Sequence, residues 1–144
     1  MDIFQALKED HQEAKQLFSQ IETAERNGNS RENLFLKLKN ALEEHSEAEE
    51  EVFYVPLRKN EDTKEQIEHA TKEHQKVTKM LTELQGMNKQ DEQWLKKVTK
   101  LKEDVEHHIE EEEGDIFKNA RNILSLQQAE EMAGTFEQAK KKKM

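Results

Sequence analysis

The chain has no cysteine, and its 144 residues include one proline and four glycines. Without a thiol, disulfides, thiolate catalysis and iron–sulfur clusters are excluded. Because helix-breaking residues are scarce and Glu, Lys, Gln, Leu and Ala form long runs, the composition favours helix almost everywhere. Aromatic residues make up only 6% of the chain, so we expect a single domain with a narrow core.

Long hydrophobic runs are missing as well, and the opening residues "MDIFQALKED" lack a basic segment followed by an apolar one. We therefore expect no signal peptide and no membrane partner, and predict a cytoplasmic location. Basic residues are outnumbered, since 23 Lys and Arg face 32 Asp and Glu, for a net charge of −9. A nucleic-acid binder needs clustered Lys and Arg on one face, so no nucleic-acid partner is expected.

Caps and breakers predict four long helices and a short fifth. Asp2 and Gln5 are spaced as a capping box for the first helix, which should run until "NGNS" at residues 27–30. The second helix should begin near Ser30 and be kinked or ended by Pro56.

The third and fourth helices have similar signals. Asp62 with Glu65 is expected to cap the third helix, and Gly86 to end it. The fourth should run from about Asp91 to Ile116.

Ser125 with Gln128 is expected to cap a short terminal helix. An all-α, up-down-up-down antiparallel four-helix bundle would bury four apolar stripes joined by short turns. We therefore predict a bundle over residues 1–120 and a C-terminal helical extension over residues 121–144. The extension could be a lid, a partner helix or a frayed tail.

A repeat of 63 residues sorts the histidines. This offset relates three pairs of polar residues, His11 with His74, His45 with His108, and Glu49 with Glu112. It also relates apolar neighbours, including Leu38 with Leu101 and Tyr54 with Phe117. The chain is therefore interpreted as a duplicated helix pair.

The remaining histidines, His69 and His107, fall outside the repeat. In a helix, His107 lies about 100° around the axis from its neighbour His108, and His69 lies about 140° from His74. Both are predicted to be surface residues, with His107 kept as the rival of His108.

The repeated residues suit a metal centre. A His and a Glu four positions apart lie on one helix face, one turn apart, and single histidines of the first and third helices can reach the same level. Two buried carboxylates without partners would cost several kcal/mol. Two cations would satisfy them, and a nitrogen and oxygen donor set without thiolate suits iron, manganese or zinc.

With His11, "HSEAE" at 45–49, His74 and "HIEEE" at 108–112, the chain resembles the hemerythrin-type family, in its His-His-Glu cation-binding branch. The resemblance covers roughly residues 1–120. It implies two non-haem iron ions with an oxo or hydroxo bridge, held by His11, His45, Glu49, His74, His108 and Glu112.

The pattern departs from that of the oxygen carriers of the family. Those proteins have a fifth histidine, paired at a spacing of four on the third helix, whereas His69 and His74 are five apart. They also have an Asp five residues after the histidine of the fourth helix. Here Glu112 is four residues after His108 and five after His107, and the repeat favours His108.

The resemblance leaves several functions open. The leading hypothesis is a di-iron protein whose open positions bind oxygen, peroxide or nitric oxide, in sensing, scavenging or storage. The alternatives are a catalase-like or oxidase enzyme, iron storage, and a metal-free helical interaction module.

Other prominent residues receive plain structural interpretations. Tyr54 and Phe117 are expected to pack at the bundle end, and Gly114 to mark a bend or a close contact. The neighbouring acids are expected to form solvated faces, with the alternative that any of them guides cations inward or serves as a variable ligand: Glu50, Glu51, Glu110, Glu111 and Glu113.

Overall fold

The computed structural model describes residues 1–24 and 30–143, and this part of the chain consists of helices joined by turns, without a strand. The α-helices are α1 (Ile3–Thr23), α2 (Ser30–Val52), α3 (Tyr54–Arg58), α4 (Lys64–Gln85), α5 (Glu92–Glu111), α6 (Phe117–Ile123) and α7 (Leu126–Lys143). A π-helical turn, Glu112–Ile116, joins α5 to α6. The expected all-helical class is confirmed. Within the described ranges, each helix is too short or too polar to cross a membrane.

Helix starts follow the capping chemistry at two of three predicted positions. Asp2 and Gln5 form a reciprocal capping box at the start of α1, and the Ser125 and Gln128 side chains do the same before α7. The cap predicted at Asp62 is wrong. Its backbone N–H donates to the side chain of Asn60 in the preceding turn, and Thr63 takes the cap position.

The helices end close to the proline and glycine residues that predicted their ends. The break after α2 comes at Phe53, three residues before Pro56, so the proline lies in the first turn of α3, where no internal N–H donor is needed. Gly86 caps the end of α4 as expected. Gly114 lies in the π-helical turn, and a Cβ built there would meet no atom within 4 Å outside the adjacent backbone, so the glycine does not mark a close contact. The turn expected at residues 27–30 falls, apart from Ser30, outside the described residues.

The apolar core consists of two clusters. One contains Phe4, Phe53 and Phe117, whose rings pack edge to face. The other contains Phe35 and Trp94, with ring centroids 5.7 Å apart. The polar residues of the repeat belong to neither cluster.

The C-terminal helix is part of this core. It has 18 residues and is longer than the short helix expected. Its buried face of Ala129, Ala133, Phe136 and Ala139 joins the first cluster. Helix α7 packs against α1 and α2, so it is not a frayed tail.

Candidate metal centre

The structure brings together the six residues singled out by the repeat. They come from α1, α2, α4, α5 and the first residue of the π-helical turn. Each is at most 8% exposed, and Glu49 and Glu112 are fully buried. They form two groups of four that share both glutamates, with donor atoms within 4.8 Å of one another: His11, His45, Glu49 and Glu112, and Glu49, His74, His108 and Glu112.

The four imidazoles turn the same nitrogen, Nε2, towards the glutamates. The Nε2–carboxylate distances are 3.2 Å for His11 with Glu112, 3.5 Å for His45 with Glu49, 3.3 Å for His74 with Glu49 and 3.4 Å for His108 with Glu112. Two donors that each lie about 2.1 Å from one ion, at angles of 90–109°, are roughly 3.0–3.4 Å apart. The inward atoms are therefore spaced like donors to a common cation.

Several inward atoms lack a hydrogen-bond partner among the described residues. They are Nε2 of His11 and His45, both side-chain oxygens of Glu49, and Oε1 of Glu112. Leaving buried polar atoms unpaired costs about 1–3 kcal/mol each, and more when they are charged. Because these atoms converge on one place, a cation there would satisfy them together. The donor set therefore fits a metal centre.

The outward nitrogen of every imidazole contacts a carboxylate. Nδ1 lies 2.6 Å from Glu113 in His11, 2.8 Å from Asp10 in His45, 3.1 Å from Glu50 in His74 and 2.8 Å from Glu73 in His108. A carboxylate on the second nitrogen fixes the ring and its tautomer, as is typical of metal-bound histidines. Glu50 and Glu113 are thus not merely parts of solvated acidic faces.

Sequence reasoning missed these four acids, although the repeat contains them. Asp10 and Glu73 are 63 residues apart, as are Glu50 and Glu113. The histidines that they contact show the same offset. Asp10 contacts His45 and Glu73 contacts His108. Likewise, Glu113 contacts His11 and Glu50 contacts His74. In a chain with 32 Asp and Glu, however, the offset alone does not single these four acids out.

One residue breaks the symmetry of the two halves. The Tyr54 hydroxyl donates a 2.5 Å hydrogen bond to Oε2 of Glu112, and its ring stacks on His74 at 5.4 Å. Its counterpart in the repeat is Phe117, which has no hydroxyl. The expected role of Tyr54 in end packing is therefore incomplete, because this side chain also contacts the cluster.

Neighbouring carboxylates raise the pKa of three of the four buried histidines. Burial would lower the pKa of His45, but Glu49 and Asp10 raise it to about 10. Burial also opposes protonation of His74 and His108, and the neighbouring carboxylates raise the pKa of both. Cations that bind here must displace these protons.

A cavity of about 90 Å³ adjoins all four histidines. At about 30 Å³ per water molecule, it has room for roughly three. Its apolar lining comprises Ala14, Ala41, Leu42, Val77, Val105 and Ile109. Its polar lining includes Glu13 and Lys140, and Glu13 is exposed.

The two histidines outside the repeat lie outside the cluster. The side chains of His69 and His107 are 62% and 65% exposed, as predicted from their angular positions. His107 contacts Glu111 at 2.8 Å and does not reach the six buried residues, whereas its rival His108 does.

These features define a class of protein, a helical protein with a buried His and Glu cluster able to hold metal. The chain belongs to the hemerythrin family, since residues 2–120 match the model of the Hemerythrin HHE cation binding domain. This confirms the resemblance seen in the sequence.

Of two similar proteins, one is named for the same family. An uncharacterized hemerythrin-like protein from Schizosaccharomyces pombe is 34% identical over 102 residues, which is 69% of this chain and 50% of that protein. A DNA nickase from Nostoc sp. is 28% identical over 145 residues, covering 99% of this chain and 40% of the nickase. The chain thus spans half or less of the length of these two relatives.

A solved structure has the same fold. The crystal structure of a Hemerythrin HHE cation binding domain-containing protein from Mycobacterium kansasii matches with a TM-score of 0.88 at 24% identity. The match covers 99% of this chain and 87% of that one.

Proposed function

We propose that the chain holds a non-haem di-iron centre whose open coordination positions bind oxygen, peroxide or nitric oxide, in sensing, scavenging or storage. The ligands in this proposal are the six buried residues, His11, His45, Glu49, His74, His108 and Glu112. The observation that carries it is the convergence of their unpaired inward atoms.

The donor chemistry supports iron over other cations. Four imidazoles and two carboxylates, without thiolate, suit iron, with manganese or zinc as substitutes. Two glutamates shared between two groups of histidines suit a pair of ions better than a single one. When bound, iron supplies redox chemistry and open positions for a small oxidant.

The protein's own residues prepare this site. The outer carboxylates hold each imidazole with Nε2 inward and make the rings better donors. The cavity beside the four histidines has apolar walls and a volume of about 90 Å³. This space is sufficient for a small ligand such as oxygen, peroxide or nitric oxide.

The helix contacts support the predicted topology. Phe4 at the start of α1 lies against Phe53 at the end of α2, with centroids 5.9 Å apart, as two antiparallel helices would place them. We extend this to an up-down-up-down bundle of α1, α2, α4 and α5 over residues 1–120. Residues 121–144 add a C-terminal helix that closes over His45 through Phe136, at 5.7 Å.

The net charge of −9 supports a chain without a nucleic-acid partner. The nickase relative is more than twice as long as the matched region, and nucleic-acid activity is not part of this proposal.

The test is the metal content of protein made in iron-supplemented cells and washed with a chelator, measured by mass spectrometry together with the visible spectrum. About two iron ions per chain are expected. A double variant, His108→Ala with Glu112→Ala, should lose the iron and its visible absorption.

The matched control is His107→Ala with Glu111→Ala, the same pair of changes one residue earlier on α5. It should keep the iron, because neither side chain belongs to the buried cluster. Equal iron in both double variants, or none in the wild type, would refute the di-iron centre.

Ligand binding is tested by mixing the reduced protein with oxygen, peroxide or nitric oxide in a stopped-flow spectrometer. A spectral change at the iron absorption is expected for at least one of them. Iron-loaded protein that responds to none would indicate iron storage. Peroxide breakdown faster than that by free iron would indicate a catalase-like enzyme.

A further inference from the structure

A second group of side chains that could hold a metal ion lies on the surface between α4 and α5. His69, Glu73 and Glu111 place one donor atom each within 4.8 Å of the others. The His69 side chain is 62% exposed, and those of Glu73 and Glu111 are 19% and 37% exposed. None of the three is among the proposed ligands of the buried centre.

The distances within this group resemble those between metal donors. Nε2 of His69 lies 3.5 Å from Oε2 of Glu73 and 3.5 Å from Oε2 of Glu111. These separations are long for hydrogen bonds. They approach the roughly 3.4 Å expected between two donors that are each about 2.1 Å from a tetrahedral ion.

The sequence spacing of the group repeats that of the buried centre. His69 with Glu73 and His107 with Glu111 are each four residues apart on one helix, as are His45 with Glu49 in the centre. Nε2 of His107 contacts the other oxygen of Glu111, Oε1, at 2.8 Å. This contact orients Glu111 and leaves its Oε2 facing His69.

The surroundings are open and acidic. A hollow of about 320 Å³ adjoins two members of the group, His69 and Glu111, and its other lining residues are Glu65, Gln66, Asp115 and Ile116. Further carboxylates in this lining add negative charge, which attracts cations. The hollow has room for an ion that keeps several water ligands.

Glu73 links the surface group to the buried centre. Its Oε1 lies 2.8 Å from Nδ1 of His108, while its Oε2 faces His69. One carboxylate thus serves both groups with different oxygens. A cation on Oε2 need not displace the contact with His108.

We propose that His69, Glu73 and Glu111 form a second, exposed site for a divalent transition-metal ion such as Zn²⁺, which shares Glu73 with the buried centre. One imidazole and two carboxylates make three protein ligands, so water completes the coordination and the ion exchanges freely. Ca²⁺ and Mg²⁺ are disfavoured by the imidazole.

The test is equilibrium dialysis of the chelator-washed protein against Zn²⁺ in 0.15 M NaCl, which screens diffuse attraction to surface charge. The variants are His69→Gln and Glu111→Gln, since Glu73 also holds His108. Each should bind one zinc ion fewer per chain than the wild type, or bind that ion at least tenfold more weakly. Because the readout is the difference from wild type, it does not depend on whether the buried centre is filled.

Glu110→Gln is the matched control, since it removes the same charge from the adjacent, exposed position of α5. It should leave zinc binding unchanged. In NMR spectra of the histidine rings, zinc should shift the His69 signals in the wild type and in Glu110→Gln. Zinc binding within twofold of wild type in both site variants, or an equal loss in Glu110→Gln, would overturn the proposal.

Discussion

Removing the Tyr54 hydroxyl tests how much its hydrogen bond to Glu112, which the other half of the centre lacks, contributes to the free energy of unfolding. The Tyr54→Phe variant deletes one oxygen and keeps the ring that stacks on His74. In the metal-free protein, the deleted hydroxyl donates at 2.5 Å to Glu112, and both side chains are fully buried. The variant also makes position 54 match Phe117, its partner in the repeat.

The expected loss follows from the kind of contact removed. A hydrogen bond to a charged group contributes about 1.5–3 kcal/mol to stability. Because the position is fully buried, a water molecule has no space there to replace the lost donor. For a chain of this length, such a loss corresponds to a fall in melting temperature of roughly 4–9 °C. Metal bound at Glu112 would take up part of its charge, so the loss should be smaller in metal-loaded protein.

The assay is urea unfolding of wild type and Tyr54→Phe, each metal-free and metal-loaded, followed by circular dichroism. Iron content should be unchanged, because the six proposed ligands remain. A loss below about 0.5 kcal/mol in the metal-free protein, well under the range for a charged hydrogen bond, would refute the reasoning. So would a larger loss in the loaded protein than in the metal-free one.

Three further predictions concern the surroundings of the cluster. Glu113→Gln should weaken iron binding about 10–100-fold by loosening its hold on His11, measured by chelator competition; an effect no larger than that of Glu110→Gln would contradict this. In metal-free protein, the stability contributed by protonation of His45 is fully present below the unfolded pKa of about 6.5, and it falls as the pH rises to the folded pKa of about 10, by up to about 1.4 kcal/mol per pH unit. The stability difference from His45→Gln should narrow over that range in urea unfolding, and a constant difference would refute the assignment. Phe136→Ala should cost about 3–5 kcal/mol in chemical unfolding, because this fully buried ring joins α7 to the core; a loss below about 1 kcal/mol would mean that α7 docks only loosely.

The sequence was most informative where residue types contrast with their surroundings. Histidine is rare in this chain, with six residues, so a repeated spacing of four of them stands out and predicts the cluster. Glutamate is so common in this chain that Glu50 and Glu113 do not stand out in the sequence. Each contacts a histidine on a different helix, His74 and His11 respectively. Only the three-dimensional packing shows which acids face an imidazole.

The C-terminal helix was underestimated for a related reason. Its buried face is mostly alanine, with one large side chain at Phe136, and such a stripe gives a weak apolar signal. Its docking depends on the shape of the groove formed by α1 and α2, which no local pattern encodes. The N-cap position of Thr63 was missed for a similar reason. Its hydroxyl does not cap the helix but donates to the backbone carbonyl of Leu57, six residues earlier, and no local capping pattern predicts that contact.

The duplicated sequence does not produce two equal halves, and the difference lies at the carboxylates. Both oxygens of Glu49 lack a hydrogen-bond partner among the described residues, whereas Oε2 of Glu112 accepts from Tyr54. A carboxylate that accepts a short hydrogen bond has less electron density to give to a cation, so Glu49 should be the stronger donor of the two. Oε2 of Glu112 faces His108, whereas its Oε1 faces His11, so the hydrogen bond from Tyr54 weakens donation on the side of His74 and His108. In the proposed two-ion centre, the ion on that side should therefore bind more weakly and leave first in a chelator titration.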